Sequence, residues 1–404
     1  DAAGTTLTVG KWSGWIDYLD VDGKAMLEDR ESIVPEFWRA PTDNDYGAGL
    51  QNRFGVWKNP QMKLKDCKVD GNTVTSVFDM PDVKATLTMT YTLTADGEVI
   101  VREQQPRWKR AVNVISGNLG ETVGKLYAKE YFPESSKQRV IRLVKDLQKA
   151  FEDRLKENTW MSDSTKAKAL EKLHAMYINV GYPDKWQDME KFVDIRESEN
   201  LIENYIRIVQ EARAAMFRKY WHQPVDKTQM ACTPQTVNAF YHPLFNSINF
   251  PAAILQPPFF DPEADYAANY GAIGVVIGHE MSHGFDDQGC QFDKDGNLKN
   301  WWTADDKAKY DERTKVLADW FSEQEVLPGL KINGQKTLGE NIGDNGGLKV
   351  AYRAFENRMK QEPLKKVEGF TPAQRFYLAY ARVWASNATP EYTAMIVNSD
   401  VHSP

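Results

Sequence analysis

No run of about 18 apolar residues occurs in the sequence, which excludes a transmembrane helix by length. The first ten residues, DAAGTTLTVG, lack a basic region followed by an apolar core, so they predict no signal peptide in this chain. The three cysteines, Cys67, Cys232 and Cys290, are odd in number and lie far apart, so they offer neither a disulfide framework nor a CxxC metal site. The formal net charge is -7, and the sequence has no stretch that predicts a positively charged surface for nucleic acid. We therefore expect no nucleic-acid partner.

What is present is the composition of an ordinary folded protein. Hydrophobic residues make up 42% and charged residues 26%, which excludes a wholly disordered or collagen-like chain. A length of 404 residues predicts two or three domains. The spacing of the apolar residues changes near residue 103, and this change predicts a boundary between an all-β segment and a helical one.

The first 103 residues have the pattern of an all-β segment. Apolar residues and threonines alternate along Ala85–Thr94, which predicts a half-buried strand with a threonine-rich solvent face. The pair Asp96-Gly97 follows this strand and indicates a hairpin. The same two-residue signal occurs twice more, at Asp22-Gly23 and Asp70-Gly71. Together these features predict a sandwich-like arrangement of antiparallel strands.

Beyond residue 103 the apolar spacing becomes helical. Apolar residues recur at intervals of three and four on one face of a predicted helix: Val140, Leu143, Val144, Leu147, Phe151 and Leu155. A second helix is predicted to begin near Ser164, which would be its N-cap. A third helix is predicted from about residue 200 to residue 220.

The most informative stretch is the hexapeptide GHEMSH at 278–283. On an α-helix, residues i and i+4 lie one turn apart on one face, so His279 and His283 can hold one metal ion together. Glu280 projects about 100° away, from where it can reach a water molecule on that metal. The alternative is two histidines on a helix surface, because two imidazoles do not complete a catalytic zinc site with its three protein ligands.

A second hexapeptide, GENIGD at 339–344, offers the missing carboxylate. Glu340 can bind the metal, and Asp344, one helical turn further on, can accept the outer N–H of a ligand histidine. Taken alone, this hexapeptide is also typical of a capped helix start. Beside the HExxH motif, we interpret it as part of the same metal site.

Seven motifs occur in a fixed order between about residue 105 and residue 404: PRWKRAV, LYAKEYFP, NAFYHP, FPAAILQPPFF, IGHEMSHGFDDQG, TLGENIGDNGGL and DVHSP. In this combination and order they resemble the neprilysin family of zinc endopeptidases. The resemblance implies a mostly α-helical, thermolysin-like zinc metallopeptidase domain, and with the N-terminal segment an α+β composite. It also implies that short peptides are the substrates, cut on the amino side of hydrophobic residues, and it favours a periplasmic or secreted location.

The family resemblance further implies a role for each matching residue. Three residues match the ligands of one Zn²⁺ per chain: His279, His283 and Glu340. Glu280 matches the general base, and Asp344 matches a carboxylate that acts on His279. His402, in DVHSP, matches the histidine that stabilises the tetrahedral oxyanion.

Substrate-binding residues follow from the same resemblance. Asn238 and Ala239, in NAFY, match an edge-strand pair that hydrogen-bonds the substrate backbone, which suits an extended peptide. Six apolar residues match the pocket for the residue after the scissile bond: Ile254, Phe259, Val275, Val276, Val383 and Trp384. Without the resemblance, all six would be expected in the hydrophobic core.

The segment PEFWRAPTDNDYG at 35–47, with WIDYLDVDGKAML before it, resembles the late β-sandwich domain of large β-galactosidases. The resemblance implies a partial galactose-mutarotase-like sandwich over about the first 100 residues, with carbohydrate contact as one expectation. It implies no glycosidase activity, because the two carboxylates that glycoside hydrolysis needs lie on a separate domain in that family. Asp43 and Asp45 are expected to cap loop amides. Trp38 and Trp57 are expected to pack in the core, with stacking on sugar as the alternative.

These patterns divide the chain into a β-galactosidase-like sandwich at 1–103 and a neprilysin-like peptidase at 104–404. Within the peptidase, 104–200 is predicted to end a helical domain and 201–404 to form the zinc domain. The resemblance implies that much of the family's helical domain, and an arginine that follows DVHSP, are absent here. Three functions stay open: a zinc peptidase, a carbohydrate-binding fragment with an inactive peptidase tail, and a composite that folds incompletely. The intact HExxH motif, Glu340 and His402 favour the peptidase.

Overall fold

The computed structural model describes residues 1–27, 60–104, 107–186, 194–224 and 226–404. These residues divide into two compact units, Asp1–Gly117 and Asn118–Pro404. The galactosidase-like segment at 35–47 lies outside the described residues. The roles predicted for Trp38, Asp43, Asp45 and Trp57 therefore stay predictions.

In the first unit, the described strands form two antiparallel sheets. One sheet has the order β1-β2-β3, with strands at Thr5–Val9, Ile16–Val21 and Lys24–Ala25. The other has the order β4-β5-β6-β7, with strands at Lys63–Asp70, Thr73–Met80, Ala85–Leu93 and Val99–Gln104. The loop between β2 and β3 consists of Asp22 and Gly23, which both have positive φ, as a type I′ hairpin requires.

The hydrophobic core of the first unit draws side chains from both sheets. The ring of Trp15 stacks on Phe78 with centroids 3.8 Å apart. Along β6, three apolar side chains face this core, Leu87, Met89 and Tyr91, and they alternate with threonines that are not fully buried. The alternation predicted for this strand is therefore confirmed, because the pleat sends successive side chains to opposite faces.

The second unit is mostly helical. One helix, α1 (Arg107–Asn118), crosses the division between the units. The helices that follow are α2 (Gly120–Tyr131), α3 (Glu134–Glu157), α4 (Asp163–His174), α5 (Leu201–Tyr220), α6 (Tyr266–Gly271), α7 (Ile273–His283), α8 (Ala304–Glu323), α9 (Leu338–Gln361), α10 (Pro372–Val383) and α11 (Pro390–Ser399). None of the helices in the described ranges is both long and apolar enough to cross a bilayer.

Sequence periodicity located the helices α3 and α5 well, but it misplaced the start of α4. All six apolar residues predicted on one face of α3 are buried. The N-cap of α4 is Ser162, not Ser164, which lies inside the helix. Ser162 has extended backbone angles and its side chain accepts from the Thr165 N–H. Asp306 of α8 also accepts from the Ser162 N–H and hydroxyl, so a tertiary partner fixes this helix start.

A small mixed sheet and two close helices form the centre of the second unit. The sheet has the order β8-β10-β9, with strands at Tyr177–Gly181, Ser247–Pro251 and Phe240–His242, so β9 is an edge strand. A two-stranded pair, β11 (Glu325–Leu327) and β12 (Leu330–Lys331), lies between α8 and α9 in the chain. A Cβ atom on Gly347 of α9 would lie 2.5 Å from the backbone nitrogen of His279. The absence of a side chain there allows α9 to approach α7 closely.

Candidate metal centre

The helix α7 carries the HExxH motif and is buried along most of its length. Its first six residues, Ile273–Gly278, are apolar or glycine and all buried, which is typical of a helix enclosed by its neighbours. His279 and His283 lie one turn apart near its C-terminal end, and their Nε2 atoms are 2.9 Å apart. The predicted pairing of the two imidazoles on one helix face is therefore present.

Glu340, in the first turn of α9, meets both imidazoles. Its Oε2 lies 3.1 Å from Nε2 of His279 and 3.4 Å from Nε2 of His283. One ligand atom from each of the three residues lies within 4.8 Å of the other two. The close packing of α7 against α9 brings these residues together, although they are almost 60 positions apart in the chain.

The donor set fits a zinc ion. Two histidines and one glutamate are ligands found at catalytic zinc sites, with a fourth position left for water. Glu340 Oε2 is buried and has no well-aligned hydrogen-bond donor, although imidazole nitrogens surround it. A buried carboxylate oxygen without a donor is costly unless a cation meets it. His279, His283 and Glu340 are therefore the residues that could hold the metal.

A carboxylate fixes the orientation of each histidine. His279 Nδ1 donates to Asp344 Oδ1 at 2.8 Å, the contact that the sequence predicted. His283 Nδ1 donates to Asp286 Oδ2 at 2.6 Å, a contact that sequence reasoning missed. The signal was present, because Asp286 follows His283 by three residues. These contacts direct both Nε2 atoms towards Glu340.

The three groups influence each other's protonation. Burial opposes protonation of His279, but the nearby carboxylates of Asp344 and Glu340 outweigh burial and raise its pKa to about 9. Burial also opposes protonation of His283, but the nearby carboxylates of Asp286 and Glu340 outweigh burial and raise its pKa to about 10. Burial raises the pKa of the Glu340 carboxyl, but the neighbouring imidazoles reverse this effect and hold that pKa below its usual range. Without a metal, the surrounding carboxylates therefore favour protonation of this pair of imidazoles.

Glu280 and His402 lie beside the same centre. Glu280 is only 5% exposed, and burial raises the pKa of its carboxyl. His402 Nε2 lies 3.2 Å from Glu340 Oε2, and its Nδ1 donates to Asp400 Oδ1 at 2.7 Å. The contact with Glu340 is the main reason that the pKa of His402 rises to about 9. A potential proton acceptor and a potential cation thus border the candidate metal centre.

An open cleft of about 370 Å³ contains these groups. The predicted edge-strand pair, Asn238 and Ala239, lies in its wall, where the Ala239 N–H donates to Asn238 Oδ1 at 2.9 Å. The sequence did not predict several other residues of this wall: Phe240, Tyr241, Pro243, Gln288, Gly289 and Phe292. They come from β9, the turn after it, and the segment after α7.

The six residues predicted for the apolar pocket lie elsewhere. None of them is among the described residues that line this cleft. Three are buried in the hydrophobic core: Ile254, Val275 and Val276. Phe259 packs partly against that core and meets the exposed Trp384 edge to face, with centroids 6.2 Å apart. Val383 ends α10, next to Trp384, and the substrate role of all six stays a prediction.

Three family models match the chain, and two of them overlap at residues 82–124. A model described as "Peptidase family M13" matches residues 238–404, and a second model with the same description matches residues 82–183. A model described as "Beta galactosidase small chain" matches residues 1–124. The peptidase models together account for about two thirds of the chain.

Individual relatives agree with the peptidase match. Neprilysin-1 of Caenorhabditis elegans is 38% identical over 315 residues, which are 75% of this chain and 42% of the relative. Endothelin-converting enzyme 1 of Homo sapiens is 38% identical over 312 residues, which are 74% of this chain and 40% of the relative. This chain thus spans less than half the length of these curated relatives.

Solved structures give the same assignment. The zinc metalloprotease ZMP1 of Mycobacterium tuberculosis, solved with an inhibitor, matches with a TM-score of 0.67 and 40% identity over 77% of this chain and 47% of its own. PEPO of Lactobacillus rhamnosis matches with a TM-score of 0.66 and 34% identity over 74% of this chain and 46% of its own. The zinc-peptidase motifs, the His-His-Glu centre and these matches together assign the chain to peptidase family M13.

Proposed function

We propose that this chain is a zinc-dependent metalloendopeptidase that hydrolyses short peptides. The observation that carries the proposal is the convergence of His279, His283 and Glu340 beside the buried Glu280. These ligands leave a coordination position for water or substrate, as catalytic zinc sites require. We propose one Zn²⁺ per chain.

The residues around the centre supply the proton transfers and the charge stabilisation. When bound, zinc would lower the pKa of a coordinated water and polarise the peptide carbonyl. Glu280 takes the proton of the attacking water, because burial makes its carboxylate a better base. The same carboxyl then protonates the leaving amine. His402, whose pKa is about 9, donates to the oxygen on which negative charge develops.

The edge strand β9 is the proposed platform for the substrate. An extended peptide can add to an exposed strand edge through backbone hydrogen bonds. Asn238 and Ala239 directly precede β9 and border the cleft, so we assign them to the substrate backbone. The six apolar residues predicted for the pocket, which include Val383 and Trp384, are the proposed source of the preference for a hydrophobic residue after the cut. This preference rests on the family resemblance alone.

The N-terminal unit carries a separate proposal. Its two antiparallel sheets with a common core are compatible with part of a galactose-mutarotase-like sandwich. The match of residues 1–124 to the β-galactosidase small chain supports the same origin. We therefore propose the division into 1–103 and 104–404, with the zinc domain at 201–404. Carbohydrate contact by the first segment stays a prediction.

Zinc stoichiometry is the experiment that tests the peptidase proposal. The purified chain is analysed for zinc beside the variants Glu340→Ala and Glu280→Gln, and each is assayed with a fluorogenic peptide. The peptide carries a hydrophobic residue after the intended cut, and a second peptide with glycine at that position serves as the control. We expect one zinc in the chain, weakened or lost zinc in Glu340→Ala, and cleavage that a chelator abolishes.

The outcomes separate the parts of the proposal. A chain without zinc contradicts the metal centre and therefore the peptidase activity. Zinc without cleavage of either peptide contradicts the catalytic assignment but leaves the ligands intact. Equal cleavage of both peptides contradicts only the preference for hydrophobic residues.

A further inference from the structure

A buried lysine lies behind one wall of the cleft. Lys172, on α4, is only 1% exposed. Its Nζ donates to the backbone carbonyls of Gly289 and Phe292, each at 2.7 Å. These two carbonyls bracket the short 3₁₀ turn Gly289–Gln291 that follows α7. One ammonium group therefore joins α4 to both ends of that turn.

The surroundings of this ammonium favour a cation held in place. Three aromatic rings lie with their centroids within 5.9 Å of Nζ: Tyr241, Phe285 and Trp301. Burial lowers the pKa of Lys172 to about 8, which reflects the cost of removing its charge from water. The two carbonyls and the three rings compensate that cost. An apolar side chain would fill the space but would lose the link to the turn.

The turn connects Lys172 to a histidine of the candidate metal centre. The Gly289 N–H donates to Asp286 Oδ1 at 2.6 Å. The other oxygen of Asp286 accepts from His283 Nδ1 at 2.6 Å. Gly289 and Phe292 also line the cleft. A shift of the turn would therefore move both the cleft wall and the carboxylate that orients His283.

The backbone of the same lysine is connected to a second part of the cleft lining, on β9. Its carbonyl accepts from Asn246 Nδ2 at 3.0 Å. Asn246 Oδ1 in turn accepts from the hydroxyl of Tyr241 at 3.0 Å, and Tyr241 belongs to β9. The turn after α7 and the strand β9, which both contribute to the cleft lining, are thus connected to one residue of α4.

We propose that Lys172 is a positioning residue of this site, which holds the segment 286–292 in place and through Asp286 sets the orientation of His283. The expected effect on zinc affinity rests on the proposed zinc peptidase function. The expected effect on amide hydrogen exchange does not, because the hydrogen bonds of Lys172 are present in the metal-free chain. In the part of the chain that the structure describes, the hydrogen bonds of the Lys172 side chain go to the turn and not to His279, His283 or Glu340.

A second buried lysine provides a matched control. Lys137, on α3, is 6% exposed and donates to the Tyr182 carbonyl at 2.9 Å and to Asp184 at 2.8 Å. It also lies 4.2 Å from the centroid of the Tyr182 ring. None of these partners lines the cleft. A general loss of stability should therefore affect both lysine variants, whereas a positioning effect should affect only one.

The experiment compares Lys172→Met with Lys137→Met in the full chain. Amide hydrogen exchange of peptides covering 284–292 is first measured on metal-free protein. We expect roughly tenfold faster exchange in Lys172→Met than in the unmodified chain, and no change there in Lys137→Met. The zinc dissociation constant is then measured by competition with a chelator. We expect binding weaker by about 10- to 100-fold in Lys172→Met only.

Similar exchange and similar zinc affinity in the two variants would overturn the proposal and leave Lys172 a purely structural residue. If Lys172→Met does not fold, Lys172→Gln replaces it, since the shorter amide keeps a donor but removes the charge. If the unmodified chain binds no zinc, the proposed function fails, and the exchange comparison alone decides the role of Lys172.

Discussion

Asp286 Oδ2 lies 2.6 Å from Nδ1 of His283, only three residues away along the chain. His279 has the equivalent contact with Asp344, which comes from α9. Each imidazole therefore has a carboxylate on its outer nitrogen, and its inner nitrogen is directed towards Glu340. Asp286 is close to its histidine in the sequence, whereas Asp344 is distant from its histidine in the sequence and reaches it from another helix. Such partners fix the tautomer and raise the basicity of a ligand histidine.

The Asp286 contact predicts a specific loss of zinc affinity. We expect Asp286→Asn to weaken zinc binding by about 10- to 100-fold, because the amide is a poorer partner for the His283 N–H. The neighbouring Asp287 does not hydrogen-bond either histidine, and Asp287→Asn is the matched control. Chelator competition measures both dissociation constants. Equal losses in the two variants would contradict a role for Asp286 in orienting His283.

Substitution of Glu280 and substitution of Glu340 should have different effects on zinc content and on peptide turnover. Glu280→Gln should keep its zinc but lose peptide turnover by about 10²- to 10⁴-fold, because the amide cannot accept the proton of the attacking water. Glu340→Gln should instead lose zinc, because a neutral amide is a poor metal ligand. Elemental analysis and a peptide-cleavage assay separate the two effects. Comparable cleavage by Glu280→Gln and the unmodified chain would rule out Glu280 as the base.

The close approach of α9 to α7 predicts that Gly347 does not tolerate a side chain. A Cβ atom there would lie 2.5 Å from the His279 nitrogen and 2.7 Å from the Val275 carbonyl oxygen. We expect Gly347→Ala to lower the free energy of unfolding by about 1–3 kcal/mol and to weaken zinc binding.

Gly117→Ala is the control for the Gly347 variant, since that exposed helical glycine has open space at its Cβ position. It should be neutral or stabilise the chain by about 0.5–1 kcal/mol. Denaturant unfolding measures both changes. A Gly347→Ala variant as stable as Gly117→Ala would show that the two helices can separate at little cost.

The hydrogen bonds of Asp306 connect α8 to α4, and we expect their contribution to stability to be lost in acid. Hydrogen bonds from Ser162 and Thr165 hold the pKa of this 1% exposed carboxyl below its usual range. A depressed pKa stabilises the fold at pH values above the unfolded-state pKa of about 3.9, and this contribution disappears as the pH falls further. We expect Asp306→Asn to cost about 1–3 kcal/mol at pH 7.

The adjacent Asp305 is a suitable control because its side chain is 77% exposed and pairs with Lys309 on the surface. Asp305→Asn should change the free energy of unfolding by less than about 0.5 kcal/mol. Urea unfolding at pH 7 and at pH 3 measures both variants. If the cost of Asp306→Asn did not shrink at pH 3, the ionised carboxylate would not be the stabilising form.

The histidines of the metal-free site predict a contribution to stability that is lost at high pH, whereas the contribution of Asp306 is lost at low pH. Without zinc, the pKa is about 9 for His279, about 10 for His283 and about 9 for His402, all above the usual value near 6.5. A raised pKa stabilises the fold fully below the unfolded-state pKa, and the contribution disappears as the pH rises through the folded-state pKa. We therefore expect metal-free protein to lose stability between about pH 6.5 and pH 10.

Bound zinc should weaken this dependence, because zinc requires neutral imidazoles and its binding releases their protons. Unfolding at a series of pH values, with chelator or with added zinc, measures the difference. The variant His279→Gln should show a shallower decline when metal-free. A decline of the same steepness with and without zinc would mean that these imidazoles do not control it.

Local patterns in the sequence predicted the parts of the structure that depend on neighbouring residues. The alternation along Ala85–Thr94 predicted a strand, and the spacing from Val140 to Leu155 predicted a helix with one buried face. The four-residue interval between His279 and His283 predicted two imidazoles on one side of a turn. In each case the regular geometry of one element dictates the result.

Prediction was weaker wherever a distant partner decides the outcome. The start of α4 depends on Asp306, which is more than 140 residues away from the cap it stabilises. Lys172 gave no signal in the sequence, because only the fold brings α4 against the turn after α7.

The sequence by itself thus determined the chemistry that is available: two histidines and a glutamate in one helical turn, a second glutamate on another helix, and a late histidine. Tertiary structure alone decided that Glu340 reaches the two imidazoles and that His402 reaches Glu340. The first of these contacts is possible because Gly347 has no side chain to keep α9 away from α7. Helical spacing is a property of one segment, and its hydrogen bonds repeat every few residues. The meeting of two segments depends on the shapes of both surfaces and on all that packs around them.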